Sequence, residues 1–134
     1  MTPVRYVRFE SATPNDRGRY TGIFGLANGL ARSGLLSAAD RAWWRAANDW
    51  YDLAYPDPAS VDPTLFDRGR HPGLTCWFLD SAEHLLCRVP GYLALLDRYG
   101  LAWRQRSSAD PGMVRYRDDV QIAVTPYPLP APVG

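Results

Sequence analysis

The chain predicts an α+β domain: a mostly antiparallel sheet packed by two or three helices, with the helices in a single layer on one face. Three observations point there. An aromatic stripe of helical period runs through residues 37–55, short runs of period two lie toward both ends of the chain, and turn-rich segments separate them. At 134 residues the expectation is one domain with one real core. It should span 1–125 and be followed by a proline-rich tail, 126–134, that is extended or disordered.

In chain order, Val4–Phe9 reads as a first strand, with Arg5, Val7 and Phe9 on one face and Tyr6 and Arg8 on the other. Residues 11–19 carry Pro, Asn, Asp and Gly and form a loop. Ile23, Ala27, Leu30 and Ala31 then recur at helical spacing, and Gly34 suits the end of that helix. Gly25 and Gly29 offer a smooth surface, for which Trp43 and Trp50 are the expected partners. In the next helix Leu36, Ala39, Trp43, Ala47, Trp50 and Ala54 form the stripe that should be buried, with Arg41, Arg45, Asn48, Asp49 and Asp52 opposite. Ser37 followed by Asp40 is a capping pattern, and Tyr55-Pro56 ends the helix. Trp44 and Tyr51 fall a quarter-turn off the stripe. Such surplus aromatics would suit the interface of a homodimer.

Residues 56–73 form a long connection rich in proline and glycine. Leu74–Leu79 is an apolar run of strand length. Asp80 and Glu83 suggest a cap for a helix running through Arg88, which Pro90 must break or kink. Tyr92, Leu93, Leu96 and Tyr99 resume helical spacing up to Gly100. Sheet follows: Leu101, Trp103 and Gln105 alternate with Ala102, Arg104 and Arg106, and Pro111-Gly112 makes a turn. Val114, Tyr116, Val120, Ile122 and Val124 all occupy even positions. One long strand over 113–124 preserves that face, and so does a hairpin turning at Arg117–Asp119; the pattern does not choose between them.

Composition removes several chemistries. Net charge is +1, which gives no general attraction to nucleic acid or anionic membrane. All fifteen cations are arginine, so a Schiff-base lysine and a Walker-type phosphate lysine are both excluded. Cys76 and Cys87 are too few for a disulfide scaffold. His71, His84 and the two cysteines lack paired metal-ligand spacing, so neither a metal nor another cofactor is expected. No apolar run reaches membrane-spanning length, and the first residues (MTPVRYVRFES) lack the apolar core of a signal peptide. The cytoplasm is the expected location, with no membrane partner.

The main chemical lead is a charge pattern. If the strands flanking Pro111-Gly112 pair as a hairpin, Arg106 faces Arg115 and Arg104 faces Arg117, near Gln121. Like charges placed opposite one another call for a compensating anion, and arginine suits bidentate contact with phosphate or carboxylate. The expected ligand-binding set is therefore Arg104, Arg106, Arg115, Arg117 and Gln121. Its partner would be an anionic small molecule or a nucleic-acid backbone. Trp103 and Tyr116 would lie on the opposite face, away from the cations.

An enzyme is the alternative, and the pattern leaves that question open. His71 in the long loop would serve as a general base, with Arg8 and Glu10 as further catalytic candidates. The stretch Tyr6-Val7-Arg8 resembles the Arg-bearing first strand of ADP-ribosyltransferase-like domains. That resemblance implies a nucleotide-dependent transferase whose last strand ends near a catalytic glutamate; this chain has Asp118-Asp119-Val120-Gln121 there. The expected function is thus a small intracellular binding or regulatory domain with an Arg-rich sheet face. The transferase and a protein–protein interaction module are the alternatives.

Overall fold

The computed structural model describes residues 3–128. Of the expected proline-rich tail, residues 126–128 have no helix or strand and the remainder lies outside the described residues. The elements run β1 (Tyr6–Ser11), α1 (Ile23–Arg32), α2 (Ala38–Ala54), a 3-10 turn at Pro58–Ser60, β2 (Thr75–Leu79), α3 (Glu83–Leu86), α4 (Val89–Arg98), β3 (Trp103–Ser108), β4 (Met113–Arg117) and β5 (Gln121–Thr125). The five strands form one sheet in the order β3-β1-β2-β5-β4, with every neighbouring pair antiparallel. This is the expected α+β class.

Helices cover one face. Ile23, Ala27, Leu30, Leu85, Tyr92, Leu95 and Leu96 build a core against Phe78, with Phe9 and Trp103 at its margin. Ser37 caps α2 as its sequence suggests, its side chain accepting from the Asp40 N–H at 3.1 Å. The same helix end is tied to α4, because Asp40 accepts from Arg98 and from the Tyr99 hydroxyl, each at 2.8 Å. Those two hydrogen bonds, Tyr99's first, hold the Asp40 carboxyl below its ordinary range. The expected break at Pro90 is present: α3 ends at Leu86 and α4 starts at Val89, with Pro90 in its first turn. At the first turn of a helix its missing N–H costs nothing.

The buried face of α2 is rotated from the expected one. Trp44 and Tyr51 are 8% and 6% exposed, whereas Trp43 is 36% exposed. The Trp44 indole donates to Asn28, Asn48 donates to the same oxygen, and the Tyr92 hydroxyl donates to Asn48. This network lets a polar residue lie inward and so turns Trp44 and Tyr51 toward the core. The homodimer role expected of these two side chains is therefore corrected, since both are enclosed within a single chain. The smooth surface for a tryptophan also lies elsewhere. Neither Gly25 nor Gly29 touches Trp43 or Trp50, and it is Gly91 of α4 whose Cβ would collide with the Trp43 ring.

Tyr51 donates its hydroxyl to the Leu85 carbonyl at 2.6 Å. Burial, followed by the nearby Cys87 thiol, pushes that hydroxyl from the ordinary 10 up to about 12. Burial also raises Tyr55 and Tyr92. Unfolded tyrosine ionises near 10, so the contribution of Tyr51 is intact below pH 10 and is lost as pH rises toward 12. Denaturant melts between pH 9 and 12 should show stability falling over that window. Tyr51→Phe should lower stability at neutral pH but make the alkaline slope shallower by one proton; an unaltered slope would contradict the assignment.

The other sheet face carries a second cluster of Tyr6, Trp77, Ile122 and Val124, with Leu79 against it. No helix of the core cluster covers it; the sheet covers it by curling. Strands β3 and β4 are the two edges, run in the same direction, and are joined by residues 109–112 alone. The five Cα steps from Ser108 to Met113 reach at most about 18 Å. Edges of a flat five-stranded sheet would stand about 19 Å apart, before the offset along the strands is added. The inner face is thus concave. Two long side chains span it, Arg117 from β4 reaching the Tyr6 hydroxyl at 3.3 Å and Arg106 from β3 lying 5.2 Å from the Trp77 ring.

This order corrects the expected β3–β4 hairpin. β3 pairs with β1, placing Arg106 opposite Arg8 and Arg104 opposite Glu10. β4 pairs with β5, so of the two alternatives left by the alternation the chain adopts the hairpin, with 118–120 as its connection and a bulge between Val114 and Tyr116. Asp118 organises that turn by accepting from the Val120 and Gln121 N–H groups at 2.9 and 3.1 Å.

Candidate functional site

β1 and β2 pair only at Tyr6–Leu79 and Val7–Phe78. Beyond that the strands part, and the segment before α1 moves alongside β1, with Gly22 bridging to Glu10 and the Ser11 N–H bonded to the Thr21 carbonyl. The Arg8 guanidinium fills the split. It donates to Glu10 at 2.7 Å, to the Cys76 carbonyl at 3.0 Å and to the Tyr20 carbonyl at 3.1 Å. Backbone acceptors at a parted strand edge need partners, and Arg8 supplies them.

Glu10 is the centre of the cluster. Its side chain is 1% exposed. One carboxylate oxygen accepts from Arg8, and the other accepts from Arg104 Nε at 2.8 Å and Nη2 at 2.6 Å. Arg106 Nη1 stands 3.7 Å away. The Arg104 guanidinium stacks 3.9 Å from the Tyr20 ring centroid. A buried carboxylate is tolerable only when charged partners surround it, and here three guanidiniums do so.

The alternation of β1 and β3 puts Arg8, Glu10, Arg104 and Arg106 on the concave face, and Arg117 joins them from β4. Four of the sequence-level candidates are thus brought together, and a fifth shares their surface. Arg115 sits at the β4 bulge and donates to the Thr125 hydroxyl at 3.0 Å. Gln121 is buried on the helix side, donating to the Pro56 carbonyl and to Asp118, both at 2.9 Å. Gln121 stands apart because a strand alternates its side chains, and Arg115 because the bulge breaks that alternation two residues before Arg117. Tyr6, Tyr20 and Trp77 belong to the site and were not singled out from sequence. Their signal was faint: aromatic residues on the same strand parity as Arg8, or in the loop leading to α1.

His71 lies elsewhere. Its Nδ1 is 2.9 Å from the Leu65 carbonyl, and it borders a cavity of about 260 Å³ with Arg19 and Arg68. Arg8 borders a separate recess of about 100 Å³ that has no imidazole. The expected pairing of His71 with a sheet arginine is therefore not formed. At the end of α3 the Cys87 thiol donates to the His84 main-chain carbonyl. Among the described residues no group of three or more His, Cys, Asp or Glu is placed to hold a metal, and no helix is long and apolar enough to cross a membrane. No protein-family model matches the chain, and comparison with curated proteins and with solved structures gives no match.

Proposed function

We infer that the protein is a small binding domain whose concave sheet face takes an anionic partner of the phosphate or nucleotide type. One observation carries this reading. Arg8, Arg104, Arg106 and Arg117 share that face, and among the described residues Glu10 is the only carboxylate within ion-pairing distance of any of them. Arg8 is spent on its own chain. Arg104 keeps Nη1 free, and Arg106 and Arg117 are exposed at the rim. Their forked donors match phosphate oxygens, and contacts with the Trp77 ring and the Tyr6 hydroxyl hold the two side chains over the same face.

The rings on this face argue against base stacking. Trp77 and Tyr6 are 2% and 7% exposed, and the face of Tyr20 is taken by Arg104. Recognition would run through charge and hydrogen bonds, as for a phosphate group, and not through a stacked single strand.

The test is calorimetric titration of pyrophosphate and of ATP into the wild-type chain and an Arg106→Gln/Arg117→Gln variant, at low and at high salt. Binding should weaken on the order of tenfold in the variant and again in high salt. Equal affinity in both proteins would overturn the reading.

A further inference from the structure

A second concavity lies away from the arginines of the sheet face, between α1, α2 and the segment that follows α2. Its volume is about 530 Å³, within the range of small-molecule sites. Phe24, Tyr55 and Phe66 form its aromatic walls, with the 6% exposed Tyr51 behind them, and no Arg or His lines it. Two carboxylates, Asp52 and Asp57, do. Both are exposed, and neither has a cation within ion-pairing distance among the described residues.

The amides in the same lining are fixed in orientation. An indole N–H can only donate, so the Asn28 atom 3.0 Å from Trp44 Nε1 is its oxygen. That oxygen also accepts from Asn48, whose own oxygen accepts from Tyr92. Asn28 is left with an amide N–H₂ that donates to no group among the described residues. The cleft thus combines aromatic walls, two carboxylates without counter-charges and one spare donor.

We propose that this cleft binds a small organic cation carrying a hydroxyl or carbonyl acceptor, such as a quaternary-ammonium alcohol. Ring faces attract an alkylammonium through their quadrupole, and the effect grows as water is excluded. Asp52 and Asp57 supply the long-range attraction, and the Asn28 amide fixes the polar end of the ligand. A phosphate or nucleotide would meet only negative charge here, so the cleft is independent of the basic sheet face.

Choline is the probe, and 3,3-dimethylbutan-1-ol, its uncharged carbon isostere, is the control. NMR titration should show choline moving the ring signals of Phe24, Tyr51, Tyr55 and Phe66 and the side-chain amides of Asn28 and Asn48, saturably. The isostere should bind at least ~10-fold more weakly. Asp52→Asn/Asp57→Asn keeps shape, and at position 57 it keeps the side-chain oxygen that accepts from the Ala59 N–H. It should weaken choline on the order of tenfold. Phe66→Ala removes a half-exposed wall without touching the core and should weaken it several-fold. The absence of saturable shifts with choline, equal binding of the isostere, or unchanged affinity in both variants would each overturn the proposal.

Discussion

Glu10→Ala should destabilise the fold by about 3 kcal/mol, near the lower end of the usual cost of breaking a buried ion pair. The reason is the state it leaves behind. Arg8 is 12% exposed and would face the Arg104 and Arg106 guanidiniums with no carboxylate between them. The cost falls toward the low end because Arg104 and Arg106 are 37% and 47% exposed and can rehydrate. In a chain of this size the melting temperature should drop on the order of 10 °C. Arg104→Gln should cost only about 1 kcal/mol, since Arg8 still holds the carboxylate. Chemical denaturation of the three proteins decides the matter. A Glu10→Ala variant within 1 kcal/mol of wild type, by the scale of ordinary surface changes, would show that the cluster is not structural.

Trp77→Ala should be costlier, about 3–5 kcal/mol. Trp77 is 2% exposed on the face that no helix of the core cluster covers, so its burial depends on the curl of the sheet. Its indole N–H donates to the Thr75 hydroxyl at 2.9 Å, and Arg106 lies above the ring. Truncation opens a cavity between Tyr6, Ile122 and Val124 and removes the platform that orients Arg106. The loss should therefore appear twice, as a lower denaturation midpoint and as weaker pyrophosphate binding in whatever fraction stays folded. A cost below about 1 kcal/mol would mean a flat, solvated face.

The local features of this fold were legible in the sequence, and the long-range ones were not. Ser37 and Asp40 announce the start of α2, and Pro56 its end, because caps and proline restrictions act over three or four residues. The period-two runs at 101–106 and 113–124 announce strands for the same reason, and β3, β4 and β5 fall on them. Alternation says which residues share a face but not which strand lies alongside. Pro111-Gly112 favoured the nearest partner, whereas β3 pairs with β1, more than ninety residues away, as in Glu10 opposite Arg104. The charge argument was drawn on the wrong partners, since Arg104 and Arg106 do not face Arg117 and Arg115. Arg106 does stand opposite a like charge, Arg8, and the compensating group is Glu10 from within the chain.

The error in α2 has a similar origin. Trp43 and Trp44, and again Trp50 and Tyr51, are adjacent pairs, so two apolar stripes about 100° apart describe the helix equally well. What selects the one through Trp44 and Tyr51 is the Asn28–Asn48–Tyr92 network. A polar residue satisfied by partners far along the chain reads in sequence as a solvent-facing one. Gly91 was equally silent, since its role depends on the Trp43 ring arriving from another helix.

The central claim is that anions bind the concave sheet face through Arg106 and Arg117, with Arg8 held by Glu10 as a fixed brace. The most direct measurement is arginine side-chain ¹⁵N–¹H NMR during a pyrophosphate titration. The Nε–H signals of Arg106 and Arg117 should shift saturably, Arg104 should shift less, and Arg8 should stay in place. Unmoved Arg106 and Arg117 signals, or shifts confined to Arg17, Arg19 and Arg68 in the loops, would contradict it.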